Sequence, residues 1–313
     1  MSRIAQFDGL EAVSLPARPL HLAIGIFDGV HLGHRSVIAA AVQSARSSGG
    51  VAAVLTFSPH PSAVLRPGQG TRLFQPREAK AIVLERLGVE AVVTQAFTPK
   101  FAMIAAEDFL PWLKNRLPHL VEIYVGENWR FGHERRGDVA LLVAQAKQHG
   151  LAVFSAPRVN FDGQPISSSR IRGLLTNGEV AAANALLGYP YFTPGVVTPG
   201  KQLGHTIGFP TLNVPWSPEL RPKLGVYAVR VLDTKSTDAL PAVANYGLRP
   251  TVENSTEPRL EVHVIGECPY GAGDAITVEW LLFLRPEMKF SGLPELRAQI
   301  ARDRETATAF FQR

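Results

Sequence analysis

Residues 20–34 read LHLAIGIFDGVHLGH and hold the pattern that decides the fold of the first part of the chain. The apolar run Leu20–Ile26 predicts a buried strand, and the pattern over 37–45 predicts the helix that follows it. The turn between them, GIFDGVHLGH at 25–34, opens a helix directly after a strand. In an open α/β sheet, ligands bind at the carboxyl ends of the strands, where this turn lies.

The same alternation continues outward from this turn to about residue 155. Apolar strand patterns occupy 51–57, 91–95, 121–125 and 151–154, and helical patterns occupy 77–87, 105–117 and 138–149. Strands that alternate with helices at this spacing indicate βαβ units and a parallel, Rossmann-like sheet. The first half is therefore predicted to be an α/β domain.

Two short helices close that half. Ser169 is a candidate N-cap for a helix over 170–176, and a second helix over 179–187 ends at Gly188, shortly before Pro190. We place the domain boundary here, which gives domains of 1–187 and 188–313.

The pattern beyond this boundary belongs to another class. Strands rich in β-branched and aromatic residues are predicted at 225–232, 260–265 and 276–284, and Pro-Gly pairs at 194–195 and 199–200 are predicted to separate strands. Several strands without intervening helices indicate a small antiparallel β-barrel. A helix over 294–311 is predicted to end the chain.

Composition excludes several classes of protein. The chain has 313 residues, 46% of them hydrophobic and 19% charged, and no apolar run long enough to cross a membrane. Its net charge of +5 comes from Lys and Arg that are scattered without a dense run, and so modest an excess suits phosphate-bearing small molecules as well as nucleic acid. A single cysteine, Cys268, excludes an internal disulfide and a multi-cysteine zinc site. With no export signal in the first ten residues, we expect a cytoplasmic protein.

The turn at 25–34 carries groups suited to phosphate. A helix amino terminus offers unpaired backbone N–H groups and a partial positive charge. Gly29 and Gly33 allow close approach of the backbone, and His31 and His34 can present two imidazoles to one phosphoryl group. A tight turn with incidental histidines is the alternative interpretation.

A second phosphate-binding candidate is ISSSRIR at 166–172. Three hydroxyls and Arg170 at a helix start can hold a polyphosphate through the helix terminus and a guanidinium. A serine cap with surface arginines is the alternative, although a cap needs only one serine.

The second half contains GFPTLN at 208–213. Thr211 and Asn213, two apart on an extended segment, face the same side and are hard ligands suited to Mg²⁺. A turn that leads into a strand explains the same residues. Glu261 and Glu279, each on a predicted strand, can both serve as the acceptor of a hydroxyl proton or lie in solvent.

Together with TFSPHP at 56–61 and GENWRFG at 126–132, these motifs resemble the bacterial bifunctional riboflavin kinase/FAD synthetase family. The resemblance spans roughly residues 20–305. It implies a nucleotidyltransferase sheet followed by a β-barrel kinase, ATP with Mg²⁺ as co-substrate, and FMN and FAD as substrate and product. Phosphorylation of riboflavin and adenylylation of FMN are the implied reactions.

The resemblance also implies residue roles. The implied catalytic groups are His31, His34, Arg170 and Glu261, with Thr211 and Asn213 on the metal. The implied nucleotide- and flavin-binding residues are Gly25, Phe27, Asp28, Gly29, Gly33, Ser167, Ser168, Asn128, Trp129, Phe131, Lys201, Gly208, Pro210, Thr211 and Asn213.

The chain departs from the family pattern mainly in the kinase half. Leu203-Gly204-His205 stands where the family has Arg-Gly-Arg, and Tyr246 replaces an aliphatic residue. In the first half, Ile26 replaces Asn and Asn128-Trp129 replaces Asp-Phe. One alternative is therefore an FMN adenylyltransferase with a weakened or regulatory kinase-like domain; another is adenylylation of a different phosphate ester. The expected partners are small molecules, with no nucleic acid and no membrane, and weak self-association is left open.

Overall fold

The computed structural model describes residues 4–200, 207–233, 239–248 and 257–312. The chain forms two compact units that divide between Ser168 and Ser169. The two short helices predicted before the boundary therefore group with the second unit. The assignment of one activity to residues 1–187 and of the other to residues 188–313 stays a prediction.

The first unit contains a parallel sheet, as predicted, and the sheet has six strands. Its strands are β1 (Ala5–Asp8), β2 (Leu20–Ile24), β3 (Val51–Ser58), β4 (Ala91–Ala96), β5 (Leu120–Gly126) and β6 (Ala152–Ala156). Their order is β1-β4-β3-β2-β5-β6. The order reverses next to β2, which has β3 on one side and β5 on the other, so the end of β2 lies at the switch point where α/β sheets bind ligands.

Helices connect these strands. They are α1 (Leu32–Ser48), α2 (Pro61–Leu65), α3 (Arg77–Arg86), α4 (Pro99–Ala102), α5 (Ala106–Arg116) and α6 (Val139–Gln148), and a hairpin of β7 (Asn160–Phe161) and β8 (Gln164–Pro165) follows β6. Helix α1 begins five residues earlier than predicted because His31 caps it, with Nδ1 accepting a hydrogen bond from the His34 backbone N–H.

Helix α7 (Ser168–Asn177) starts at the division between the units, and the second unit continues with α8 (Val180–Leu187) and an antiparallel sheet. Its strands are β9 (Tyr191–Val196), β10 (Leu212–Val214), β11 (Gly225–Asp233), β12 (Ala239–Gly247), β13 (Arg259–Val264) and β14 (Ala275–Arg285), in the order β10-β13-β12-β11-β14-β9. Just beyond β9, the Thr198 backbone N–H donates to the Asn213 carbonyl at 2.9 Å. This bond joins the two ends of the sheet and confirms the barrel.

Two local predictions were wrong. Pro194-Gly195 does not separate strands but lies within β9, where Pro194 pairs with Thr277. Proline is tolerated there because β9 lies at the end of the hydrogen-bonded sheet order, where its missing N–H costs no ladder bond. Ser169 is not the N-cap of the helix after it, because α7 already begins at Ser168.

The barrel core is aromatic. Trp280 is completely buried and packs edge-on against Tyr227 with ring centroids 4.7 Å apart, and its Nε1 donates to the Thr193 hydroxyl at 3.0 Å. The final helix, α9 (Leu293–Phe311), is attached through Asp303, which accepts a bidentate pair from Arg285. Within the described ranges, no helix is both long and apolar enough to cross a membrane.

Two candidate active sites

The turn after β2 has a strained backbone. Phe27 (φ 49°), Gly29 (φ 82°) and Val30 (φ 38°) all adopt left-handed conformations. A β-branched residue such as valine rarely adopts a positive φ, and such strain persists only where the surroundings impose it. The turn is therefore held in a specific shape at the switch point of the sheet.

Three side chains from other elements hold this turn. The Ile26 carbonyl accepts from the Lys80 Nζ at 2.8 Å and from the Thr56 hydroxyl at 2.9 Å, and the Asp28 carbonyl accepts from the Ser168 hydroxyl at 3.0 Å. Lys80 is only 7% exposed. The sequence predictions missed Lys80. Its position one turn before Val83 and Leu84 puts a lysine on the buried face of α3, which is the pattern that could have identified it.

His31 and His34 come together as predicted. Their rings stack with centroids 3.5 Å apart, and the ring of Phe27 meets His34 edge-on at 5.3 Å. A side chain at position 33 would press on the His31 ring, because a Cβ there would lie 3.2 Å from its Cε1. Gly33 therefore permits the stack.

Both imidazoles are neutral at pH 7. Burial lowers the pKa of His31 to about 4. Burial and the charges of His31 and Lys80 hold the pKa of His34 well below its usual range. Since the Nδ1 of His31 accepts the His34 backbone N–H, the proton of His31 resides on Nε2. His31 is thus a neutral donor.

The ISSSR segment reaches this turn through Ser168. Ser167 and Ser168 are half-buried, and Ser168 makes the hydrogen bond to Asp28, which is 1% exposed. Arg170 lies in the first turn of α7, two residues beyond Ser168. These placements leave the roles of Ser167, Ser168 and Arg170 as predictions.

A cavity of about 930 Å³ opens beside the same turn. Gly25 and Ile26 contribute to its lining, together with six aromatic side chains: Phe57, Phe97, Phe101, Phe109, Trp129 and Phe131. Trp129 and Phe131 stack at 4.6 Å, while Asn128 is exposed at the wall. Its volume and apolar lining are typical of sites for planar organic ligands.

The second site lies on β10 of the barrel. Thr211 and Asn213 are half-exposed on either side of the buried Leu212, so they share the outer face as predicted. The Asn213 amide lies against Gly200, where a Cβ would come within 2.1 Å of its Nδ2. The predicted contact Lys201, with Leu203 and His205, lies outside the described residues.

The pairing of strands distinguishes the two candidate carboxylates. Glu261 on β13 stands directly opposite Asn213 on β10. Glu279 on β14 stands opposite Arg230 and Phe192, away from the GFPTLN segment. Directly opposed side chains lie about 5 Å apart at Cβ and share a face. Of these two described carboxylates, Glu261 is therefore the one that lies beside Asn213.

The GFP part of the motif is anchored next to Glu261. His263, two residues along the same face of β13, donates from Nδ1 to the Pro210 carbonyl at 2.9 Å, and the ring of Phe209 packs edge-on against it. Gly208 precedes them with a φ of 84°. A cavity of about 540 Å³ adjoins this region, lined in part by Gly200 and Asn213.

The donors at this second site fit a hard cation. Over the described ranges, no group of three or more His, Cys, Asp or Glu side chains could hold a metal ion. A hydroxyl and an amide oxygen are suited to Mg²⁺ that takes its other ligands from water and nucleotide phosphates.

Comparisons with known proteins agree with both sites. A family profile for FAD synthetase matches residues 15–170, and one for riboflavin kinase matches residues 187–311. The bifunctional riboflavin kinase/FMN adenylyltransferase of Escherichia coli (strain K12) is 38% identical over 291 residues, which cover 93% of this chain and 92% of that protein. The chain belongs to this bifunctional family.

Further relatives cover the chain to the same extent. The bifunctional enzyme of Haemophilus influenzae is 38% identical over 292 residues, covering 93% of this chain and 94% of its own length. A crystal structure described as a macrolide-efflux protein from Streptococcus pneumoniae superposes with a TM-score of 0.85 at 26% identity, covering 98% of this chain and 99% of that one. The predicted family and fold class are confirmed.

Proposed function

We propose that the chain carries out two successive reactions. The barrel unit transfers the γ-phosphoryl group of ATP to riboflavin and produces FMN, and the parallel-sheet unit transfers the AMP group of a second ATP to FMN. The products of the second step are FAD and pyrophosphate. Membership of the bifunctional family over the whole chain carries this conclusion. Nothing favours the alternative of a regulatory kinase-like domain.

In the first unit, ATP binds over the turn at 25–34. The amino terminus of α1 and the Nε2–H of His31 face its phosphates, and His34 stacks behind His31. Ser167, Ser168 and Arg170 contact the same phosphates from the start of α7. Phe27, Asp28 and Gly29 shape the turn that receives the nucleotide.

Adenylyl transfer then proceeds in line, with no covalent enzyme intermediate. An oxygen of the FMN phosphate attacks the α-phosphorus of ATP, the new P–O bond forms, and the bond to the bridging oxygen of pyrophosphate breaks. Negative charge increases on the oxygens of pyrophosphate. Preorganised donors placed at such oxygens lower the barrier, and losing one typically costs 10²–10³-fold in rate.

The aromatic cavity receives the flavin ring. Trp129 and Phe131 offer stacking faces, and Gly25 and Ile26 connect the cavity to the nucleotide turn. A flavin held there directs its phosphate towards the histidines. Asn128 contacts the polar edge of the ring.

In the second unit, Glu261 accepts the proton of the terminal ribityl hydroxyl of riboflavin. That hydroxyl oxygen bonds to the γ-phosphorus of ATP, and ADP leaves. Thr211 and Asn213 hold Mg²⁺, which neutralises phosphate charge when bound. Gly208 and Pro210 border the nucleotide. We place both reactions in the cytoplasm, with small molecules as the partners of the protein.

Product analysis tests this proposal. Purified protein is incubated with riboflavin, ATP and Mg²⁺, and flavins are separated by chromatography over time. We expect FMN to appear before FAD, and both to fail to appear without Mg²⁺. Protein that converts riboflavin to neither product, with Mg²⁺ and ATP in excess, contradicts the proposal.

A further inference from the structure

A polar row crosses three neighbouring strands of the barrel. Asn213 on β10 stands opposite Glu261 on β13, and Glu261 stands opposite Asn245 on β12. Directly opposed residues of antiparallel strands share one face, with Cβ atoms about 4.5–5.5 Å apart. The carboxylate of Glu261 therefore has an asparagine on each side.

Asn245 makes no evident contribution to the barrel core. Its neighbours Ala244 and Tyr246 point inward and are completely buried, whereas Asn245 is exposed. Asparagine is disfavoured within strands, so an exposed asparagine in mid-strand lowers the stability of the sheet, and packing does not compensate for that loss. A role in ligand binding accounts for that cost.

Helix α9 covers the outer face on one side of Asn245. Val243, which shares that face, is 8% exposed and belongs to the same apolar cluster as Ala307 of α9. On the next strand, Val226 stands opposite Asn245 and is 4% exposed in the same cluster. Helix α9 therefore covers the outer face as far as Val226 and Val243 but leaves Asn245 exposed. Asn245 lies between the part of the face that the helix covers and Glu261.

We propose that Asn245 is a riboflavin-binding residue of the kinase site. Its side-chain amide donates a hydrogen bond to a secondary hydroxyl of the ribityl chain, while Glu261 accepts the proton of the terminal hydroxyl. Two opposed side chains on adjacent strands suit neighbouring hydroxyls of one polyol chain. This inference rests on the proposed role of Glu261 as the base.

The test compares steady-state kinase kinetics of the full chain carrying Asn245→Ala, Asn245→Asp or Glu261→Gln, with Glu279→Gln as the matched carboxylate control. We expect Asn245→Ala to raise the KM for riboflavin about tenfold, the effect of losing one hydrogen bond. The KM for ATP stays within twofold. Adenylylation of supplied FMN by the same preparation verifies that the first unit is intact, and the unchanged KM for ATP in the kinase reaction verifies the barrel.

Asn245→Asp separates binding from structure. Aspartate has the shape of asparagine but donates no hydrogen bond and repels Glu261, so we expect the KM for riboflavin to rise at least as much. If Asn245→Asp keeps the wild-type KM, or if neither variant changes it, the inference is overturned. If Glu261→Gln keeps the kcat of the wild-type kinase reaction, Glu261 is not the base. That result is distinguishable from failure of the Asn245 inference, which is measured in the KM for riboflavin.

Discussion

The imidazole rings of His31 and His34 stack with centroids 3.5 Å apart and planes inclined by 19°. Burial disfavours protonation of both rings, and for His34 the charges of His31 and Lys80 add to that effect. Burial lowers the pKa of His31 to about 4. Both imidazoles are therefore neutral at physiological pH.

This pKa links the stability of the first unit to pH. Because the pKa of His31 is lower in the folded protein than its value of 6.5 when unfolded, the unfolded state binds the extra proton between the two values. The stabilisation is complete above pH 6.5 and is lost as pH falls towards 4. At pH 5 we expect a loss of about 2 kcal/mol from this group.

Urea unfolding at pH 7 and pH 5 measures the loss, with His31→Gln as the comparison. The variant should lose less free energy of unfolding between these pH values than the wild type, by about 2 kcal/mol. Equal losses in the two proteins contradict the assignment.

Lys80 supports the strained turn and should affect one activity only. Lys80→Met keeps the length of the side chain but removes the charged donor to the Ile26 carbonyl. We expect adenylylation of FMN to fall about 10- to 100-fold, the cost of a buried charged hydrogen bond. Riboflavin phosphorylation should be unchanged. The matched control is Lys147→Met on the exposed face of α6, and equal rates in the two variants would exclude the role.

The aromatic cavity should govern FMN affinity rather than ATP affinity. Trp129 lines the cavity, whereas Trp112 packs behind it against Phe101 and Phe109. Trp129→Leu should raise the KM for FMN about tenfold through loss of stacking area, with the KM for ATP within twofold. Trp112→Leu serves as the control. If Trp112→Leu raises the KM for FMN more than Trp129→Leu does, the flavin binds elsewhere.

The bidentate pair between Arg285 and Asp303 should stabilise the barrel unit. Their side chains are 17% and 6% exposed, so Asp303→Ala leaves a largely buried guanidinium without its carboxylate. We expect a loss of about 3 kcal/mol. The loss of stability is measured by thermal unfolding, with residual kinase activity as the readout. Glu305→Ala, on the exposed face of the same helix, is the control. Similar midpoints for both variants contradict the prediction.

The sequence predicts the elements whose patterns are local. Strand-helix alternation around β2 and the cap-and-glycine signals of the helices depend on nearby residues, and the structure confirms the parallel sheet. The short strand β1 was missed because four residues carry too little periodicity. Strand β12 was missed because Pro241 interrupts its pattern.

The sequence cannot predict what depends on tertiary pairing. Glu261 and Glu279 lie on strands with the same alternation, and only the register of β13 against β10 distinguishes them. Lys80 contacts the turn through the packing of α3, which no periodicity reveals. The family resemblance identified Glu261 but gave no indication of Lys80 or Asn245.

Separation of the two activities by single substitutions tests the central claim most directly. His31→Ala and Glu261→Gln are each incubated with ATP and Mg²⁺, once with riboflavin and once with FMN, and the flavins are quantified. We expect His31→Ala to convert riboflavin to FMN and no further, and Glu261→Gln to produce FAD only from supplied FMN. If His31→Ala produces FAD from FMN at the wild-type rate, the assignment of the first site is wrong.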